Sequence, residues 1–572
     1  MKIFKGMSAA SGMALGPVSL FSSEEKSHIP HYTVDSGDIE KEIYRADSSF
    51  KEAQSEMRTM IKNARESFDR DAADIFHAHL TILEDAEIHK KVYHSILNQK
   101  VNAESALETV FAEYIDKYSN LEGHFAELIH DFIDTRNRIL EKLGSKSAQA
   151  LCPAEKIRPV IVVADRLIPS LVLDLAAEDV LAFVSKQGGL TNHATILARS
   201  LGVPIVLGVD VGTISCGTIL AVDGSLGKVI VDPDAKTTDY YNRKIESLKK
   251  KKLVCVAKKN FPTATNTGKK ITLKINISTP EESERAEALG HDGIGLLRTE
   301  FLFTQRNYAP TEEEQYAMYK KILDSTRGKP VSARLLDIGA DKVPLFLELP
   351  PNTDPCMGLR GSFAVETFPD LYLTQIKALL RANTGNNLRV LYPMISDTND
   401  IQPFRKLMNE AKLKLKRAKV PFNPVKIPEG VMIETPAAVM SSSEIFQEVD
   451  FVNIGTNDLL QYALAVSRNT SMTEKRYHIL HPALMKYIEI IVKEARKAKK
   501  EVCLCGEVSS FEEFYPLLIA AGLKSFSVTP SKFDDIKCSI MHIGNETPGD
   551  LLKDYYKLHT REEIDKFFSK FV

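Results

Sequence analysis

Apolar residues recur at alternating steps of four and three along a stretch that begins at residue 39. The stripe consists of Ile39, Ile43, Ala46, Phe50, Ala53, Met57 and Met60. Residues with this spacing lie on one narrow face of an α-helix, so the pattern predicts an amphipathic helix. A similar helical pattern continues to Leu143, and Gly144 is a suitable residue to end a helix. We therefore expect an all-helical unit over residues 25–148.

From Pro159 onward the pattern changes to short runs rich in β-branched residues. The runs cover 160–164, 181–185, 204–209, 218–222 and 228–232. Turns and a helix between them indicate an α/β domain. The segment PVSL at 17–20 is typical of another strand, although the helical unit separates it from the rest. The sequence thus predicts an α/β domain of residues 1–24 and 149–235, with the helical unit inserted into it.

Residues 236–262 are rich in charge and helical in pattern, which indicates a helical linker. The linker contains four consecutive lysines, Lys249 to Lys252. We interpret them as a solvated face, because the net charge of −2 gives no reason to expect nucleic acid as a partner.

The remaining chain alternates strand-like runs with helical stretches. Eight runs are present, at 271–277, 293–297, 331–336, 388–394, 430–434, 451–455, 501–505 and 525–529. Eight βα units over about 300 residues are typical of a (β/α)₈ barrel, which we place at residues 263–572. Polar residues follow the carboxyl ends of the strands, where barrels of this kind carry their active sites: Arg298, Asp337, Glu434, Asn457, Asp458 and Cys505.

These side chains suit a small anion that carries phosphate and carboxylate. Guanidinium groups of Arg298, Arg334 and Arg468 can bind both kinds of oxygen, and Lys342 adds a mobile cation. The carboxylates of Glu434 and Asp458 are ligands that Mg²⁺ prefers. The remaining two candidates are Asn457, which can donate to a phosphate oxygen, and Cys505, which can give a proton to carbon.

A second candidate site lies in the predicted α/β domain, where GGLTNHATILAR occupies residues 188–199. The glycines allow a tight turn, and Thr191 or Asn192 can cap the helix that follows. His193 then lies in the first helical turn, where the dipole disfavours imidazolium and favours a nearby anion. A neutral imidazole in that setting is suited to receive a phosphoryl group. The alternative interpretation is an ordinary histidine at a helix start.

The N-terminal residues are interrupted by glycine, serine and proline, and no run approaches the roughly 18 apolar residues of a membrane span. We therefore expect a cytoplasmic protein.

Seven segments together resemble one protein family. They are FHAHLTILED (76–85), GGLTNHATILARSLGVPIVLG (188–208), GIGLLRTEFLF (293–303), RLLDIGADK (334–342), VMIETPAA (431–438), IGTNDLLQYALAVSR (454–468) and CGE (505–507). In this order they are similar to Enzyme I of the bacterial sugar phosphotransferase system, the phosphoenolpyruvate–protein phosphotransferases. The resemblance covers essentially the whole chain.

The resemblance implies a phosphoryl relay. Phosphoenolpyruvate would bind in the barrel with Mg²⁺ on Glu434 and Asp458, and His193 would take its phosphoryl group. Cys505 would protonate the enolate to give pyruvate. Phospho-His193 would then pass the group to a histidine of the carrier HPr, which the helical unit binds, and the enzyme would be a homodimer through its barrels. The residues implied to hold the substrate are Arg298, Arg334, Lys342, Arg360, Asn457, Asp458 and Arg468.

At several positions the residue differs from the one that is usual in the family. They are Leu190, Asn192, Leu335, Phe363, Ser467 and the run Val508-Ser509-Ser510. Two alternatives remain at this point. One is a relative of phosphoenolpyruvate synthase or pyruvate phosphate dikinase, although the chain shows no segment for the ATP-binding domain that those enzymes need. The other is a non-catalytic regulatory or scaffold protein that retains the fold.

Overall fold

The computed structural model describes most of the chain. It leaves out residues 11, 22–29, 68–75, 77–78, 120–124, 145–158, 168–170, 173–174, 176–178, 189–193, 196–197, 199–201, 213, 258–260, 305, 340–342, 345, 351–353, 355–356, 467–478, 480, 545–547, 559 and 569–572. The described chain divides into two compact units, Met1–Lys249 and Lys250–Val572.

Four long helices of the first unit lie between its third and fourth strands along the chain. Their bounds are α1 Ile39–Ser67, α2 Ala86–Gln99, α3 Ala103–Ser119 and α4 Phe125–Lys142. Helix α1 begins at the first residue of the predicted stripe, and the stripe residues Ala46, Phe50, Ala53 and Met57 are fully buried. The amphipathic helix predicted from the spacing is therefore confirmed.

The strands of the first unit form one eight-stranded sheet. Their bounds are β1 Lys2–Lys5, β2 Met7–Ala10, β3 Met13–Phe21, β4 Val160–Arg166, β5 Val180–Gln187, β6 Ile205–Leu207, β7 Ile219–Asp223 and β8 Lys228–Val231. The spatial order is β1-β8-β7-β3-β4-β5-β6-β2. Strand β3 pairs in parallel with β4, so the strand before the helices and the strand after them are neighbours. The domain boundaries proposed from the sequence remain a prediction.

The first twenty residues form three strands where the sequence suggested one. Gly6 separates the first two, and a side chain there would meet the carbonyl oxygen of Leu207 at 2.3 Å. Gly12, with φ of +126°, separates the second from the third. Glycine is suited to both breaks, because one needs close backbone approach and the other needs a positive φ.

Residues of β4 alternate between two apolar cores. Val160 and Val162 belong to the core that also contains the buried residues of the four helices, whereas Ile161 and Val163 belong to the core on the other face. Successive side chains of a strand point to opposite faces, so both faces of the sheet are covered.

The second unit contains a closed barrel of eight parallel strands, as predicted. The strands are β9 Thr272–Ile277, β10 Ile294–Arg298, β11 Val331–Arg334, β12 Leu388–Tyr392, β13 Glu429–Ile433, β14 Phe451–Ile454, β15 Glu501–Leu504 and β16 Ser525–Val528. All eight predicted strands are therefore confirmed within a few residues. Strand β16 pairs with β9, which closes the barrel.

Helices surround the barrel and follow a linker helix, α5 Ala235–Ala257, that crosses the division between the two units. Their bounds are α6 Pro280–Ala286, α7 Phe301–Thr304, α8 Glu312–Ser325, α9 Gly361–Thr367, α10 Pro369–Ala382, α11 Ile401–Arg417, α12 Pro436–Met440, α13 Ser442–Glu448, α14 Thr456–Leu464, α15 Pro482–Ala498, α16 Tyr515–Ala520, α17 Phe533–His542, α18 Pro548–Tyr555 and α19 Arg561–Phe568. Short 3₁₀ helices lie at Glu287–Leu289, Glu507–Ser510, Glu512–Phe514 and Pro530–Lys532. None of the described helices combines the length and the apolar character that a membrane-spanning segment needs.

Candidate active site

Two buried carboxylates stand at the carboxyl ends of neighbouring barrel strands. Glu434 directly follows β13, and Asp458 lies in the first turn of α14, just beyond β14. The backbone N–H of Met394 donates to Oε1 of Glu434 at 2.8 Å. Met394 has a φ of +53°, an unusual conformation for a residue with a side chain. The strained backbone of Met394 thus places an N–H donor against the carboxylate of Glu434.

The carboxylate of Glu434 lies near both negatively and positively charged side chains. Burial, together with the nearby Asp458 and Asp337, raises its pKa to about 8 against the opposing effect of Arg334 and Arg360. The carboxylates at this site repel one another, which makes Glu434 hard to ionise. A bound cation would relieve that repulsion.

Glu434 and Asp458 offer oxygen ligands, the kind that Mg²⁺ prefers. The described residues contain no group of three or more His, Cys, Asp or Glu side chains that could hold a metal ion. Mg²⁺ commonly binds through one or two carboxylates together with water and substrate phosphate. Glu434 and Asp458 fit that description.

Arg360 is already engaged by three neighbours. Its Nε and Nη2 atoms donate to the two oxygens of Asp337 at 3.2 and 2.5 Å. Its Nη1 atom donates to Asp458 at 3.2 Å and to the hydroxyl of Tyr462 at 2.9 Å. Arg360 therefore links the candidate metal ligand Asp458 to a buried anchor, and these carboxylates raise its pKa further above the usual range despite its burial.

Arg334, the last residue of β11, is buried and paired with Glu300. Its Nε and Nη2 atoms donate to Oε1 of Glu300 at 3.0 and 2.6 Å. Behind this pair, the hydroxyl of Thr299 donates to the backbone oxygen of Arg334 at 2.8 Å, and Gln375 donates to that hydroxyl at 2.9 Å. Nη1 of Arg334 bonds to none of the described residues, so one edge of the guanidinium stays available for a ligand.

Arg298 differs from these two arginines. It is the last residue of β10 and is exposed, and no hydrogen bond or ion pair joins it to any residue that the structure describes. Asn457 is oriented by the backbone N–H of Glu507, which donates to its Oδ1 at 2.9 Å. Because the acceptor of this amide is occupied, its NH₂ group is the part available to a ligand.

Cys505 directly follows β15 and is buried at the floor of the site. Its Sγ donates to the backbone oxygen of Ile454 at 3.4 Å and lies 3.7 Å from Sδ of Met432. Burial is the main cause of a raised pKa for this thiol, which keeps it protonated. Leu296, Leu391 and Phe451 complete the apolar floor together with Met432.

Gly455 gives a test of how closely the backbone must approach Glu434. A Cβ atom at this position would lie 2.6 Å from Oε2 of Glu434. We expect Gly455→Ala to displace the carboxylate and to reduce the activity of the site about 100-fold, because misplacement of a group by about 1 Å has that effect. Gly544→Ala is the matched control, since nothing lies within 4 Å of its added Cβ. Equal activity of the two variants would show that the close approach is unimportant.

Three predicted site residues, His193, Lys342 and Arg468, lie outside the described residues. Around the first of them, Gly188 has a φ of +144°, as a glycine turn requires, and Ala194 and Thr195 are helical and buried. The other candidates, Arg298, Arg334, Arg360, Glu434, Asn457, Asp458 and Cys505, all lie at or beyond the carboxyl ends of barrel strands.

The sequence did not lead to a prediction for three residues that hold these candidates in place, Glu300, Met394 and Tyr462. It predicted Asp337 only as a polar residue after a strand. A signal was available for two of them, because Glu300 and Asp337 each follow a site arginine within three positions. Alternating charges at a strand end indicate ion pairs as well as ligand binding.

Known proteins match the chain along its whole length. Models of three domains of phosphoenolpyruvate-utilising enzymes match it: the N-terminal domain at residues 5–127, the mobile domain at 157–227 and the phosphoenolpyruvate-binding domain at 254–544. The phosphoenolpyruvate-protein phosphotransferase of Priestia megaterium is 32% identical over 572 residues, which are 99% of this chain and 98% of that protein. The corresponding protein of Bacillus subtilis (strain 168) is 32% identical over 573 residues, 99% of each chain.

The chain belongs to the phosphoenolpyruvate-protein phosphotransferase family. A solution structure of Enzyme I is 32% identical, covers 43% of this chain and 99% of its own, and has a TM-score of 0.36. The strand ends that carry the arginines, carboxylates and thiol fall within residues 254–544, the part that matches the phosphoenolpyruvate-binding domain of the family.

Proposed function

We propose that this phosphotransferase transfers the phosphoryl group of phosphoenolpyruvate to His193 and then to a histidine of the small carrier protein HPr. The observation that carries the proposal is the cluster at the barrel mouth, where Glu434 and Asp458 stand beside Arg334 and Arg360. Such a cluster suits a small, highly charged substrate better than an apolar one. The motif around His193 supplies the acceptor.

The arginines and the amide would position the substrate. Arg298 and the free edge of Arg334 bind phosphate or carboxylate oxygens, and the NH₂ group of Asn457 donates to the phosphate. Lys342 and Arg468 add positive charge in the same role. Arg360 would orient Asp458, and Glu434 and Asp458 would hold Mg²⁺, which supplies charge neutralisation at the phosphate when bound.

The chemical step would proceed by in-line displacement. The neutral ring nitrogen of His193 forms a bond to phosphorus while the bond from phosphorus to the enol oxygen breaks. The enolate that leaves takes a proton at carbon from the thiol of Cys505, which gives pyruvate. The thiolate then regains a proton from solvent, so the enzyme returns to its starting state once the phosphoryl group has moved to the carrier.

The helical part of the first unit is the proposed binding site for HPr, and the barrel is the proposed dimer contact. These assignments rest on the family resemblance. No role for nucleic acid or for membrane insertion is proposed.

Release of pyruvate in the absence of carrier tests the proposed function. The protein mixed with phosphoenolpyruvate and Mg²⁺ should release a single burst of about one pyruvate per chain, because His193 is filled once. Added HPr should convert the burst into continuous turnover. Continuous turnover without any carrier would contradict the proposal, since it would mean that water or another small molecule accepts the group.

The thiol of Cys505 gives a pH prediction. An ordinary thiol is half ionised at a pH of about 8.5, whereas burial raises the pKa of Cys505 above that range, so this thiol stays protonated as the pH rises. We expect its alkylation by iodoacetamide in the folded protein to remain slow at pH 8.5. Peptide mapping after the reaction measures it, and rapid modification at pH 8.5 would contradict the prediction.

A further inference from the structure

The backbone of Cys505 lies just beyond the end of a strand ladder. The pairing between β15 and β16 ends with Leu504 opposite Phe526. The carbonyl oxygen of Cys505 therefore needs a partner outside the regular ladder, because a buried carbonyl without one is costly. That partner is the side chain of Asn276, on β9.

Asn276 bridges three consecutive strands from inside the barrel. Its Nδ2 atom donates to the backbone oxygen of Cys505 and to that of Ser527, each at 3.1 Å. Ser527 belongs to β16, which lies between β9 and β15. One amide group thus links the residue after β15 to β16, the neighbouring strand, and to β9, the strand beyond it.

Stability alone is a poor explanation for this asparagine. Its Oδ1 atom is buried and has no hydrogen-bond partner among the described residues. An unpaired buried acceptor destabilises a protein, whereas an apolar residue of the same shape avoids that penalty. What the amide provides in return is a fixed position for the carbonyl of Cys505.

The opposite side of this segment is also closely packed. A Cβ atom on Gly506 would lie 1.8 Å from the hydroxyl of Thr456, the first residue of α14. The hydroxyl of Ser509 donates to the backbone oxygens of Gly506 at 2.7 Å and of Ser527 at 2.8 Å. The peptide that carries the thiol is therefore held between α14 on one side and β16 on the other.

We propose that Asn276 is a positioning residue that fixes the backbone of Cys505, so that its thiol is aimed at the carbon to be protonated. This inference rests on the proposed function, in which Cys505 gives the proton. Without the bond from Asn276, the carbonyl of Cys505 loses its partner on that side, so the peptide tilts and the direction of the thiol changes with it.

The test compares Asn276→Ala with Asn453→Ala. Asn453 is a buried asparagine of β14 whose Nδ2 donates to the backbone oxygen of Gly295 at 2.8 Å, so its loss removes a similar barrel bond without touching Cys505. Asn276→Leu is a second variant, because leucine has nearly the same shape and removes the unpaired Oδ1 atom together with the bond to Cys505. Cys503, equally buried, is the internal reference for thiol reactivity.

Two measurements are made on each variant. The first is alkylation of Cys505 relative to Cys503 in the folded protein, which we expect to rise about 10-fold in both Asn276 variants because loss of a local anchor allows local opening. The second is the single-turnover burst of pyruvate. Its maximal rate should fall about 10- to 100-fold, while the half-saturating phosphoenolpyruvate concentration changes little. Asn453→Ala should show neither change.

The proposal is overturned if the Asn276 variants match Asn453→Ala in both the reactivity of Cys505 and the burst rate. Cys505→Ser separates this failure from failure of the proposed function. If Cys505→Ser released pyruvate at the normal rate, the proton-donor assignment itself would be wrong, whatever the Asn276 variants did. A slow Cys505→Ser variant combined with unchanged Asn276 variants would reject the positioning role alone.

Discussion

Replacement of Glu434 by glutamine should reduce Mg²⁺-dependent release of pyruvate from phosphoenolpyruvate about 1,000-fold, because a metal ligand supplies several kcal/mol of charge stabilisation. The amide oxygen of glutamine can still accept the bond from the N–H of Met394, so the local fold should be retained. What disappears is the negative charge that binds the cation. The burst of pyruvate, followed over a range of Mg²⁺ concentrations, measures the effect.

The same substitution should leave the metal-free protein as stable as the original or more stable. Burial and the neighbouring Asp458 and Asp337 disfavour ionisation of Glu434, so a neutral amide relieves repulsion. Thermal unfolding without Mg²⁺ measures this. Glu429→Gln is the matched control, because Glu429 begins the same strand at the opposite end of the barrel, where it pairs with Arg405 at 3.0 Å. If both variants lost activity equally, the position of Glu434 would not matter and the proposed metal site would be wrong.

Replacement of Arg298 by alanine should reduce kcat/KM for phosphoenolpyruvate about 100- to 1,000-fold, the range seen when one donor to a developing charge is removed. The free energy of unfolding should change by no more than about 0.5 kcal/mol, because the exposed guanidinium holds none of the described residues in place. Steady-state kinetics with HPr and denaturant unfolding measure the two quantities.

Arg298 is a cleaner test than Arg334, because removal of Arg334 would leave the buried carboxylate of Glu300 unpaired and destabilise the barrel. Arg417→Ala is the control, since it removes an exposed arginine from the end of α11. A fall in stability of Arg298→Ala comparable with its fall in activity would contradict a role in substrate binding alone.

The fold was predictable because its signals are local. The alternation of strand-like and helix-like patterns predicted the eight barrel strands. The identity of the residue that follows each strand could then be taken from the sequence without any knowledge of packing. Glu434 after β13 and Cys505 after β15 illustrate this, since strand ends in a parallel barrel meet at one face.

The pairing inside the site was less predictable, because it depends on side-chain directions. A guanidinium at the end of β11 could have been free, yet Arg334 points into the carboxylate of Glu300. Asn276 looked like an ordinary polar residue within a strand, and its bond to Cys505 crosses more than 200 positions of sequence. Contacts of that range follow from barrel closure and cannot be derived from residue spacing.

Incubation with radiolabelled phosphoenolpyruvate and Mg²⁺ tests the central claim most directly, by comparing the unmodified protein with His193→Ala. The account predicts label on the unmodified protein alone, and that label should be labile to acid and stable to base, as a phosphorylated histidine is. Equal label on His193→Ala, or label that resists acid, would contradict it.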